Sequence, residues 1–174
     1  MADRATENKT EFVVACISDT ARLLHLKHHE AYGYLIQFKG LEFLLKHYEI
    51  LHTLPLEESI NSMLMICKRN GDGLDGEDLG VRISLLYKIP ECIKKNEDWR
   101  RQRDFEMQVE GNTTDVLLMM QDDGYTVEQA MDTLYQSRTF HNLERPETGL
   151  FFQSPIYIHD LLCCELNKEQ KQCS

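Results

Sequence analysis

The sequence predicts a mainly α protein: two small helical-bundle modules joined by a linker and a polar helix. Three observations lead there. Apolar residues recur at i, i+3, i+4 and i+7 in several segments, glycines and acids crowd one ten-residue stretch, and turn residues stand where the apolar patterns stop. The 174 residues are long enough to bury roughly 70% of the unfolded surface without a metal or disulfide staple.

The first predicted helix covers residues 11–25, with Val13, Cys16, Ile17, Thr20 and Leu24 on one face. A second runs from His28 to Phe38, carries Ala31, Tyr34, Leu35 and Phe38, and stops at Gly40. The third, Leu41 to His52, carries two stripes. One is Leu41, Leu44, Leu45, Tyr48 and Leu51; the other, nearly opposite, is Phe43, His47 and Ile50. A helix apolar on two faces is either central in its bundle or covered by something else. Phe43, His47 and Ile50 are therefore the candidate partner-contact residues. A fourth helix starts near Thr53, takes Pro55, Glu57 and Glu58 in its first turn, buries Leu56, Ile60, Met63, Leu64 and Cys67, and ends at Asn70-Gly71.

Residues 71–80 hold four glycines and four acids and are expected to be a linker. Val81, Ile83, Leu85, Tyr87 and Ile89 alternate, which suits a strand or a short helix. A lone strand would lack a partner, so helix is favoured. Residues 91–110 are polar, as in a solvated helix. The pattern resumes at Thr113 with Val116, Leu117 and Met120, and ends at Asp123-Gly124. Thr126 and Gln129 form a capping box ahead of Ala130, Met131 and Leu134, and Ser154-Pro155 opens the last helix. The expected modules are residues 8–70 and 112–167, with residues 71–111 between them. Ala31 and Leu35 fall on Ala130 and Leu134 at a shift of 99 residues, and Leu44 and Leu51 fall on Leu143 and Leu150. That suggests two copies of one module, with chance coincidence of short apolar patterns as the alternative.

Charge narrows the function. Nineteen Lys and Arg against 29 Asp and Glu give a net charge of −10, which opposes a phosphate backbone or an anionic membrane as main partner. No apolar run would span a bilayer, and the first residues have no apolar signal core, so a cytoplasmic location is expected. The six cysteines, at 16, 67, 92, 163, 164 and 173, include no C-x-x-C pair. None is expected to hold a metal, and no cofactor is expected. His47, Glu49 and His52 make H-x-E-x-x-H, whose second imidazole lies about 140° from the first, the wrong phase for a metalloprotease pair. P-loop, dinucleotide and nucleophile-elbow motifs are absent. No catalytic set remains, so an enzyme is not expected. Lys94-Lys95 with Trp99-Arg100-Arg101-Gln102-Arg103 is the best nucleic-acid feature and supports a helix-turn-helix regulator as the alternative, but Glu97, Asp98 and Asp104 dilute it.

Three stretches carry a resemblance: Glu11-Phe12-Val13-Val14-Ala15-Cys16, Gly40 to Thr53, and Cys67-Lys68-Arg69-Asn70-Gly71. On these, residues 11–71 resemble the bacterial domain of unknown function thirty-seven ninety-one. Residues 113–166, with Glu147-Thr148-Gly149-Leu150-Phe151-Phe152-Gln153-Ser154-Pro155, look like a second, unnamed small bacterial helical family. The first resemblance implies a helical accessory protein, often encoded beside ADP-ribosyltransferase-like proteins in toxin–antitoxin-like arrangements. It implies no catalytic residue. The expected function is a non-enzymatic protein-interaction module, meeting another chain or a second copy. Residues 111–174 carry 4 basic and 10 acidic side chains, an acidic surface suited to a basic cleft.

Overall fold

The computed structural model describes residues 4–71, 73, 83, 86–88 and 91–172. Among them every regular element is helical. In order these are α1 (Arg4–Leu24), α2 (His28–Gln37), α3 (Gly40–Lys46), α4 (Tyr48–Leu51), α5 (Leu56–Arg69), α6 (Glu91–Lys94), α7 (Glu97–Asp122), α8 (Val127–Gln136), α9 (Arg138–Leu143), two 3₁₀ turns (Pro146–Thr148 and Leu150–Phe152) and α10 (Pro155–Gln172). Ile83, Leu86 and Tyr87 are helical, which decides that segment against a strand at those positions. Most of the glycine-rich stretch lies outside the described residues. The chain forms two compact units, residues 11–100 and residues 1–10 with 101–174.

In the unit of residues 11–100, α3 packs on α2 and on α5. Ala31 and Leu35 of α2, Leu41 and Leu44 of α3, and Ile60, Met63, Leu64 and Cys67 of α5 are all buried. The helices meet at Gly40, where a Cβ would lie 2.8 Å from both Cys67 Sγ and Leu35 Cδ2. Gly40 therefore does not end α2, which stops at Gln37. It begins α3, and its missing side chain is the room in which the helices approach. Lys39, just before it, turns the chain at φ 62. Ser59 donates to the Leu51 carbonyl at 2.8 Å, satisfying an end of α4 from inside α5.

In the other unit, α7 is one helix of 26 residues. The break expected between residues 110 and 113 does not exist, because Gly111 is helical and Asn112 is buried beside it. The Asn112 side-chain amide donates to the Phe151 carbonyl at 2.8 Å. That bond and the edge-on Phe105–Phe151 ring pair hold the 3₁₀ turn against α7. They offset the roughly 1 kcal/mol a mid-helix glycine costs. The predicted caps are present. Thr126 Oγ1 accepts from the Gln129 N–H at 3.2 Å while Gln129 Oε1 accepts from the Thr126 N–H at 2.9 Å. Glu165 of α10 accepts from Arg138 N, Thr139 N and Thr139 Oγ1 and so caps α9. Burial raises the Glu165 carboxyl, but these three bonds outweigh it and hold the group below the usual carboxylate range.

Several elements of the two units correspond in position. The bounds of α2 and α8 correspond at a shift of 99, as do the first residues of α5 and α10. Ala31 and Ala130, Leu35 and Leu134, Leu44 and Leu143, and Leu51 and Leu150 are buried at both positions. The helix ends match too. Leu26 N–H reaches Ala21 O and His25 N–H reaches Arg22 O, while Tyr125 N–H reaches Met120 O and Gly124 N–H reaches Gln121 O. The left-handed residue of each motif is His25 (φ 55) or Gly124 (φ 98).

Two stability outcomes are expected in chemical denaturation of the full chain. Gly40→Ala should destabilise by about 1–3 kcal/mol, since its methyl group overpacks a buried crossing. His25→Gly should stabilise by up to about 1 kcal/mol by relieving a left-handed non-glycine residue; an unchanged midpoint for both would contradict this account of the helix ends and crossings.

Candidate functional site

The third predicted helix is two helices, which corrects the single element expected over residues 41–52. The break falls on His47, at φ −110 and ψ 16. The regular ladder is interrupted there: His47 N–H reaches Phe43 O at 3.0 Å, but Ile50 N–H reaches His47 O, three residues back, at 3.0 Å, and Leu51 N–H resumes the four-residue step on the same carbonyl. The apolar stripes divide accordingly. Leu41, Leu44, Tyr48 and Leu51 are buried. Phe43 and His47 are half-buried with ring centroids 4.9 Å apart, and Ile50 is 64% exposed. Glu42, Lys46 and Glu49 are exposed alongside.

The imidazole of His52 stacks on Tyr48 at 4.6 Å, with Nδ1 2.7 Å from the Tyr48 carbonyl oxygen. Burial, then the carboxylates of Glu49 and Glu11, push the Tyr48 phenol above its ordinary range. Among the described residues, the ligand atoms of His47, Glu49 and His52 do not converge to within 4.8 Å of one another. The basic cluster is partly engaged within the chain. Arg100 donates to the carbonyls of Lys94 and Lys95 at the end of α6, and Arg103 pairs with Glu106.

Two features lay outside the sequence reading. One is an open groove of about 730 Å³ between α7 and the start of α10, with Met107, Gly111, Phe152 and Pro155 on its walls and Asp104 and Asp115 beside them. Phe152 is 75% exposed. The groove was hidden by the expected helix break at Gly111. The other is His159, whose Nε2 lies 3.1 Å from Asp123 Oδ2 and 3.8 Å from Cys163 Sγ. Its sequence signal is H-x-x-x-C on one helix, which a search for paired cysteines passes over. Burial, then Asp123 and Asp160, push the Cys163 thiol up. It is therefore no activated nucleophile.

A family model described as a protein of unknown function (DUF3791) matches residues 11–70, the stretch on which the resemblance rested. No curated protein and no solved structure matches the chain significantly. Among the described helices none is long and apolar enough to cross a membrane.

The described cysteines Cys16, Cys67, Cys163 and Cys164 are in no disulfide, the first two being buried and Cys164 exposed. Burial raises the Cys16 thiol far above its ordinary range. Among these four, a thiol-alkylating reagent should therefore modify Cys164 first in native protein and spare Cys16 and Cys67 until unfolding, as mapped by peptide mass spectrometry. Rapid native labelling of Cys16 would mean that α1 opens readily.

Proposed function

We propose that the chain is a non-enzymatic protein-interaction module, the antitoxin-like or accessory partner of an ADP-ribosyltransferase-like protein, with its docking face on Phe43, His47 and Ile50. The observation that carries this reading is the stripe itself. One face of α3 and α4 is already buried, yet an isoleucine and two half-buried rings stand on the other. Exposed apolar side chains of this kind gain by being covered, at roughly 25 cal/mol per Å² removed from water. The resemblance supplies the class of partner. The net charge of −10 favours a partner with a basic surface and speeds encounter with it.

The test uses the full chain and an ADP-ribosyltransferase-like protein of the class that the resemblance implies. Ile50→Asp should weaken their association about tenfold or more, the scale of a 1.4 kcal/mol loss. The fold should be untouched, because an exposed substitution changes stability by only about 0.5 kcal/mol. Phe43→Ala should weaken docking in the same way. Wild-type binding by Ile50→Asp, or unfolding of Phe43→Ala by several kcal/mol as in a core truncation, would overturn the assignment. Duplex DNA at physiological salt should produce no shift. Sub-micromolar, steeply salt-dependent binding would instead favour the helix-turn-helix reading.

A further inference from the structure

We propose that Asp123, His159 and Cys163 form a binding site for a divalent transition-metal ion of zinc type. His159 and Cys163 stand four residues apart on α10, so both project from one face of that helix. Asp123 closes the set from the turn after α7. One ligand atom from each lies within 4.8 Å of the others. A tetrahedral ion with bonds of roughly 2.0–2.3 Å sets its nitrogen, oxygen and sulfur ligands roughly 3.3–3.8 Å apart. The separations here, 3.1 Å from Nε2 to Oδ2 and 3.8 Å from Nε2 to Sγ, already bracket that range. Little motion is needed to admit the ion.

The comparison of the two units strengthens the assignment. At the shift of 99 that relates their helices, His159 and Cys163 take the places of Ile60 and Leu64, both fully buried. Asp123 takes the place of Leu24. Apolar packing positions in one unit thus hold three convergent ligand types in the other. Packing alone gives no reason for that exchange. Binding involves no redox change. Neutral His159 donates the Nε2 lone pair, Asp123 donates through Oδ2, and Cys163 loses its proton to solvent and binds as thiolate. Three protein ligands leave a fourth position for water or another ligand.

Cobalt(II), then zinc, added to the reduced full chain tests this. Cobalt should give a near-ultraviolet thiolate charge-transfer band that zinc abolishes by displacement. Cys163→Ser should remove the band and Cys164→Ser should keep it. His159→Ala and Asp123→Asn should each weaken zinc binding by about tenfold or more in calorimetry, at least the cost of losing a supporting group around a metal, with unchanged helical circular dichroism. Absence of a thiolate band, or a band that survives Cys163→Ser, would overturn the site. Docking through Ile50 is read separately, so failure of either proposal leaves the other testable.

Discussion

Short helices are the constraint on which everything else here rests. A helix of ten residues or fewer is marginal in water, because nucleation costs more than a few hydrogen bonds return. In this chain α2, α3, α4, α8 and α9 are all in that class. Each persists because it buries one face and because its ends are satisfied from neighbouring elements. Ser59 bonds the carbonyl end of α4, Glu165 caps the start of α9, and Gly40 lets α3 lie close against the side chains of α2 and α5. Local order and tertiary packing are inseparable in such a fold.

That coupling decides how much the sequence discloses. Positions whose role is local or periodic are legible. The capping box at Thr126, the Ser154-Pro155 start, and the buried faces of Leu41, Leu44, Tyr48 and Leu51 follow from spacing and cap chemistry. Features settled by contacts distant in sequence are not. Gly111 looks like a helix end until Asn112 is seen bonded to Phe151. His47 looks like mid-helix, although its backbone departs from helical values and Ile50 N–H turns to its carbonyl three residues back. The candidate stripe was legible because it is a pattern on one short segment. His159 and Cys163 share a helix, but Asp123 joins them only through folding.

The correspondence at a shift of 99 residues is what duplication of a single module would produce, and it extends beyond apolar spacing to the helix-ending motifs at His25 and Gly124. Charge differs between the two stretches: residues 1–70 carry 8 basic and 9 acidic side chains, and residues 111–174 carry 4 basic and 10 acidic.

This division explains why neither proposed site requires a catalytic constellation. A docking face needs apolar area on a backbone that does not yield, and the bonds converging on the His47 carbonyl supply that stiffness. A metal site needs ligands held at separations close to those of the bound state, so that little ordering entropy is lost on binding. The four-residue step from His159 to Cys163 provides this for two of the three. Asp123 follows directly after α7, next to Gly124, whose left-handed turn redirects the chain toward α8. A helix-ending motif found in both units thereby stands beside the carboxylate that faces the imidazole, at the position where the other unit has Leu24.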